Sequence, residues 1–228
     1  MAAGERCCSG TTLEALSKKG IDWMQTGQIK KIYARYSRVY DVIFKRWFYP
    51  RQKHVIQALN IPPGHRVLDV GVGTGFSLPL YPGHAEVVGV DLLSEMIQEA
   101  QRKVQREQLN HVTLMEMDAE RLGFADNVFD YVVAAFVISV VSDPIRFLSE
   151  IRRVSKPEGR IVIINHFQSE NRIIAQVEKW LAPLCTKMGW HSDLCLEDII
   201  QHTNLQIERK YSVNKIDLWD VVFASNKK

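Results

Sequence analysis

Three groups of residues in this chain have types and spacings that can do chemistry. They are a run of glycines, two acids that close apolar runs, and a late histidine at a strand end. The glycines lie in "VLDVGVGTG" (residues 67–75), where an apolar run enters Gly71, Gly73 and Gly75 and a helix is expected to follow. Glycines there permit a tight turn and let a ligand come close to the backbone. The dinucleotide fingerprint of nicotinamide dehydrogenases is G-x-G-x-x-G, and here the third glycine comes one residue too early for it. Asp91 ends the run "EVVGVD" (86–91) and Asp118 follows "HVTLMEM" (111–117). A carboxylate in the first position can accept hydrogen bonds from both ribose hydroxyls of a nucleoside; the plain alternative is an acid capping the next helix. Asp118 can accept from the exocyclic amine of an adenine, although alone it would be an ordinary loop acid. Glycines and acids together outline a nucleoside cradle. His166 falls at the end of a later strand, beside the expected cleft, or is simply satisfied by neighbouring backbone.

These residues must be positioned by elements legible in the hydrophobic pattern. Strands are expected over 66–71, 86–91, 111–117, 129–136 and 159–167. Helices are expected over 94–108, with Ser94 as N-cap, and over 143–155, with Pro144 at the first position. Further helices are expected around 170–188 and 196–202. Near-continuous Val/Ile runs separated by helices describe a parallel sheet buried on both faces. The last two runs, 205–213 and 218–226, are separated by only four residues, too few for a helical crossover, and predict an antiparallel hairpin. The fold class is thus α/β: a Rossmann-like, doubly wound, mostly parallel seven-stranded sheet with a C-terminal antiparallel hairpin and an N-terminal amphipathic helix. Residues 1–53 form an extension and 54–228 the ligand-binding domain. Ligands are expected at the carboxyl ends of the strands.

Composition narrows the function classes. With 46% hydrophobic and 24% charged residues in 228, the chain suits one globular domain with an appendage. No apolar run reaches about 18 residues, so no membrane span is expected. The start, "MAAGERCCSGTTLEALSKK", has no apolar core behind a basic segment and is not expected to be a secretion signal. Cys7, Cys8, Cys185 and Cys195 form no C-x-x-C pair, so free cytosolic thiols and no metal site are expected. A lipid on the Cys7–Cys8 pair is a weaker possibility.

At this point the chain resembles the class I S-adenosylmethionine-dependent methyltransferases, through "VLDVGVGTG", "VVGVD", "MDAERLGFADNVFD" and "ISVVSDPIRFLSEIRRVSKPEGRIVII". The resemblance implies that Gly71, Gly73 and Gly75 pass the methionyl part of the cofactor, with Asp69 supporting the loop. It implies Asp91 at the ribose, Asp118 and Ala119 at the adenine edge, and Leu92, Met96 and Ala135 in the cofactor wall. Methyltransferases of nucleobases and amide nitrogens carry an Asn/Asp-Pro-Pro-aromatic motif after the fourth strand. This chain has the apolar "AAFVISVV" (134–141), which argues against those substrates.

More narrowly, "YARYSRVYD" (33–41), "GVGTGFSLPLY" (71–81), "INHF" (164–167) and "MGWHSDL" (188–194) are similar to bacterial phospholipid N-methyltransferases, in the branch of the quinone-biosynthesis methyltransferases. That likeness implies stepwise methylation of phosphatidylethanolamine toward phosphatidylcholine, by an enzyme that is cytoplasmic and peripheral to the membrane. It also singles out His191 and Asp193, which the residues alone would leave in a loop. Methyl transfer is an in-line displacement, so the enzyme mainly aligns the reactants. The lipid amine, with a lysine-like pKa near ~10, must lose a proton first, and His166 and His191 are the candidate acceptors. A quinone ring or other small hydrophobic acceptor is one alternative, and a non-enzymatic lipid-surface protein another.

The front segment fits a membrane surface. Residues 31–53 hold seven cations against the single acid Asp41, a net of +6 in a chain of formal charge +3, so the remainder sums to −3. On a helix over 29–47, Ile29, Tyr33, Tyr36, Tyr40, Phe44 and Trp47 share one stripe, opposite Lys31, Arg35, Arg38, Lys45 and Arg46. Aromatic rings suit a bilayer interface, and each cation near an anionic leaflet adds about 1 kcal/mol. Arg35 or Arg38 can meet a lipid phosphate, and Tyr33 or Tyr40 a quaternary ammonium. Equally, the stripe can pack over the cleft, with Tyr40 closing on the cofactor. A nucleic-acid partner is not expected, because the cations share their helix with an apolar stripe on a net negative body.

Overall fold

The structure is a computed structural model that describes residues 49–167, 176, 196–203, 205–212 and 219–227. The amphipathic helix expected over 29–47, the helix expected around 170–188, and Tyr33, Arg35, Arg38, Tyr40, His191 and Asp193 lie outside the described residues. Elements follow in the order α1 (Tyr49–Ala58), β1 (Arg66–Val70), β2 (Glu86–Asp91), α2 (Ser94–Arg106), β3 (Val112–Glu116), β4 (Phe129–Ala135), α3 (Pro144–Val154), β5 (Ser155–Asn165), α4 (Leu196–Ile200), β6 (Gln206–Ser212) and β7 (Asp220–Ser225).

The strands form one seven-stranded sheet in the order β3-β2-β1-β4-β5-β7-β6. The first five are parallel, β7 runs antiparallel to β5, and β6 pairs antiparallel with β7. This is the doubly wound sheet with a terminal hairpin that the pattern predicted. Burial explains the pattern's strength. Central β1 and β4 are buried along nearly their whole length, whereas β3 and β6, at the edges, are largely exposed. Strand alternation sends Val67, Val133, Ala135 and Val162 to one face and Leu68, Val70, Val132 and Ile163 to the other. The first face is covered by α1 through Val55 and Ile56 and by α2 through Ala100 and Val104. The second is covered by α3 through Phe147, Leu148 and Ile151 and by α4 through Leu196 and Ile199.

Several local expectations need correction. After the glycines there is only a single 3₁₀ turn, Leu78–Leu80, instead of a helix. Pro79 and Pro82 remove the N–H groups that an α-helix would need there. Ser94 is not a cap. The N-cap is Leu93, without a side-chain bond, because Asp91 two residues earlier already accepts from the Leu93 N–H. Helix α2 ends at Arg106, and Gln108 follows it with φ 53°. Strand β5 starts at Ser155 and ends at Asn165, so His166 lies just past it. By contrast Asp143 caps α3 through bonds to the Ile145 and Arg146 N–H groups, with Pro144 in the first turn.

Candidate active site

The cleft opens at the carboxyl ends of β1, β2 and β4, where the chain leaves β1 through the glycines. The Gly71 and Val72 N–H groups donate to the carbonyl of Val90 at 2.8 and 2.9 Å, which lashes the loop across the end of β2. The two glycines that follow the turn meet different constraints. A Cβ on Gly71 would fall 1.8 Å from Val137, so protein packing alone requires glycine. A Cβ on Gly73 would meet nothing within 4 Å, yet its φ of +55° disfavours a side chain. The space beside Gly73 is the cleft itself, a cradle that a Cβ would partly fill. Its lining includes Gly71, Gly73, Asp91, Leu92, Met96, Asp118, Ala119 and Ala135, and its empty volume, open mouth included, is about 1170 Å³. That chemistry, backbone N–H groups and acids beside apolar walls, fits a nucleoside carrying a short polar arm.

Asp91 joins the two strands at the centre. One carboxylate oxygen accepts from the Gly73 N–H at 2.9 Å and the other from the Leu93 N–H at 3.0 Å. Burial raises its pKa, while bonds from the Leu93, Gly73 and Leu92 N–H groups work the other way. Each oxygen keeps lone-pair capacity for a hydroxyl donor. Asp118 is exposed and closes a local turn by accepting from the Glu120 N–H at 2.9 Å. Asp69 and Gly75 are absent from the described lining. Asp69 is buried behind the loop, where its Oδ2 accepts from Ser77 Oγ at 2.5 Å and from the Tyr81 hydroxyl at 3.0 Å. Burial lifts its carboxyl to about 6, with both hydroxyls acting against the rise. A Cβ on Gly75 would crowd Leu78 and Ala100, so this glycine serves the packing of α2.

His166 is buried beyond the end of β5 and is absent from the described lining. Its ring packs edge-on to Trp219 at 5.8 Å, and Trp219 packs edge-on to Phe136 at 5.2 Å. Phe136 does line the cleft, with φ of +62° and its N–H held by the carbonyl of Ile164 at 2.7 Å. A phenylalanine in the left-handed region is uncommon, and such strain clusters at functional sites.

Sequence reasoning missed Glu120 and Gln52 in the cleft, and had Phe136 and Val137 there only as part of the apolar run 134–141. Glu120 accepts from the Ser142 and Asp143 N–H groups at 2.5 and 3.1 Å and ties the loop after β3 to the entry of α3. Nothing in its local sequence announces that partner. Gln52 sits on α1, and no periodic signal distinguishes it from the exposed polar residues beside it. Among the described residues no group of acids, histidines and cysteines has the geometry to hold a metal ion.

A glycine loop over the first strand, an acid ending the second and a seven-stranded sheet closed by an antiparallel hairpin define a nucleoside-cofactor transferase fold. Comparison with known proteins makes this specific. A methyltransferase domain family matches residues 68–163. Over 185 residues the chain is 40% identical to a phosphatidylethanolamine N-methyltransferase of Cereibacter sphaeroides, covering 81% of this chain and 90% of that protein. It is 33% identical over 154 residues to a demethylmenaquinone methyltransferase of Staphylococcus saprophyticus, covering 66% of this chain and 65% of that one. Among solved structures, an S-adenosylmethionine-dependent methyltransferase of Aquifex aeolicus aligns with TM-score 0.59 and 23% identity, over 89% of this chain and 98% of that one. One from Thermotoga maritima aligns with TM-score 0.66 and 19% identity, over 87% and 100%; both likenesses concern the fold alone. The chain belongs to the class I S-adenosylmethionine-dependent methyltransferases, in the family that holds the Cereibacter protein.

Proposed function

We propose that this methyltransferase methylates the amine of phosphatidylethanolamine, stepwise toward phosphatidylcholine, at a membrane surface. The observation that carries the reading is the 40% identity to the Cereibacter enzyme across 90% of its length. The wall after β4 supports it. Phe136, Val137, Val140 and Val141 line the cleft and offer no carboxylate or hydroxyl. Such a wall suits an acceptor with apolar chains and excludes water from the transfer.

When bound, S-adenosylmethionine supplies an electrophilic methyl group on a sulfonium. The loop from Gly71 to Gly73 would lie along its methionyl arm, Asp91 would accept from its ribose, and Asp118, Ala119, Leu92 and Met96 would bound its adenine. These residues hold and orient, so the rate gain is mainly alignment. The acceptor amine must shed a proton before attack. His191, with Asp193 near it in sequence, is the acceptor in this reading. His166, set behind Phe136 and Trp219, holds the indole in place. The helix over residues 29–47 would lie on anionic lipid, with Arg35 and Arg38 at phosphates and Tyr33 and Tyr40 facing the methylated ammonium.

The test is incubation of the full chain with S-adenosylmethionine and mixed liposomes, followed by lipid analysis. Mono-, di- and trimethylated phosphatidylethanolamine are expected; their absence from an enzyme that binds the donor would refute the acceptor. A quinone ring is the second reading, favoured by the 33% identity to a demethylmenaquinone methyltransferase. Methylation of a prenylated phenol in the same assay would identify it.

A further inference from the structure

Gln52 reaches the cleft from α1, and none of the interactions described above involves it. The residue is only 8% exposed, and its Oε1 is buried with no hydrogen-bond partner. An unpaired buried amide oxygen is destabilising and uncommon in folded proteins. On a cleft wall it acquires a reason when a ligand brings the donor.

The fold indicates which donor. One turn along α1, Val55 and Ile56 are buried with Val72, Ala135, Val162, Ile164 and Val221. Helix α1 therefore packs beside the exit of β1, against the 3₁₀ turn Leu78–Leu80 that follows the glycine loop. Gln52 thus joins the cleft lining from the helix that packs beside the glycine loop, and shares that lining with Gly71 and Gly73. Asp91 and Asp118 stand at the ends of β2 and β3, in the opposite direction along the sheet order. A nucleoside held by those acids would carry its amino-acid arm back toward the glycine loop at the end of β1. The hydrogen-bond donor on that arm is its α-ammonium.

We propose that Gln52 binds the methionyl α-ammonium of S-adenosylmethionine through its carboxamide oxygen. Gln52 thereby fixes the sulfonium end of the cofactor from α1. The assignment rests on the cofactor reading of the cleft and is independent of the methyl acceptor. The acceptor amine is a chemically similar donor, and the experiment separates the two.

The full-length wild type, Gln52→Met and Gln52→Glu are titrated calorimetrically with S-adenosylhomocysteine and with 5′-methylthioadenosine, which lacks the amino-acid arm. A hydrogen bond to a charged group predicts that Gln52→Met weakens S-adenosylhomocysteine binding about tenfold or more. Methylthioadenosine affinity should stay within about twofold, since neither the adenine nor the ribose contacts change. Gln52→Glu keeps an acceptor and should retain S-adenosylhomocysteine binding. The ligand-free Tm of Gln52→Met should not fall, because the substitution removes an unpaired polar atom. Equal affinities of folded Gln52→Met and wild type for S-adenosylhomocysteine would overturn the assignment, as would equal losses for both ligands. An intact S-adenosylhomocysteine affinity with a raised KM for the acceptor would overturn it in favour of the acceptor amine. If the wild type binds neither nucleoside, the cofactor reading fails and this assignment with it.

Discussion

Two aspartates that hold the same glycine loop do different work. Asp91 holds the Gly73 and Leu93 N–H groups and faces the cleft. Asp91→Ala removes charge-assisted bonds each worth about 1.5–3 kcal/mol, so S-adenosylhomocysteine affinity should drop by roughly tenfold or more. Calorimetric titration checks this, and a folded variant with wild-type affinity would remove the ribose role. Asp69 works behind the loop and titrates near 6, above its ordinary 3.8, because burial penalises its charge. The folded state therefore binds a proton more tightly than the unfolded chain does. The stability contributed by this group is full below pH 3.8 and is lost as pH rises through about 6. At about 1.4 kcal/mol per unit, the loss is on the order of 3 kcal/mol. Asp69→Asn should flatten that part of the stability–pH curve, measured by urea unfolding between pH 4 and 7; an unchanged slope would mean that the loss arises elsewhere.

At the scale of elements, β5 shows how distant side chains set a boundary. The sequence places Ser155 at the end of a helix and starts the strand only at Gly159, yet Ser155 pairs with Phe129 and Arg160 with Tyr131. The intervening residues are held by Asn226, beyond β7, whose amide donates to the carbonyls of Arg152, Ser155 and Lys156. Glu158 sits there at φ 60°, and its N–H donates to the Asn226 carbonyl. Asn226→Ala should cost about 2–4 kcal/mol, since it strands buried carbonyls. Thermal unfolding should record the loss while S-adenosylhomocysteine affinity stays close to wild type. Helix α3 is the converse case: Pro144 opens it as read, and the adjacent Asp143, a local signal of the same kind, caps it. Helix α2 lies between, because its start is displaced by Asp91, an acid recruited by the glycine loop.

For the molecule as a whole, the charge asymmetry between residues 31–53 and the rest makes a lipid-surface prediction. Among the described residues no helix is long and apolar enough to cross a membrane. In the proposed function, attachment through residues 29–53 depends on anionic lipid. Sedimentation with vesicles containing phosphatidylserine should capture the protein at low salt and release it progressively as salt rises, because screening weakens each cation's contribution of about 1 kcal/mol. Neutralising Arg35, Arg38, Lys45 and Arg46 together should abolish capture without altering S-adenosylhomocysteine binding. Capture that is indifferent to lipid charge would reject the electrostatic part of the proposal.

The sequence by itself determined the sheet, because the strands buried on both faces carry Val/Ile runs that no other arrangement would bury. It also determined the positions of Gly71, Gly73, Asp91 and Asp118 at strand ends, since chain order alone places them there. Tertiary structure decided what those positions touch. The collision awaiting a Cβ on Gly71 comes from Val137, and the open space at Gly73 exists only once β2 and β4 flank β1. The same holds for His166, for Glu120 and for the unpaired oxygen of Gln52. Each is defined by surroundings that come from far away in the chain, and side-chain periodicity carries no information about them.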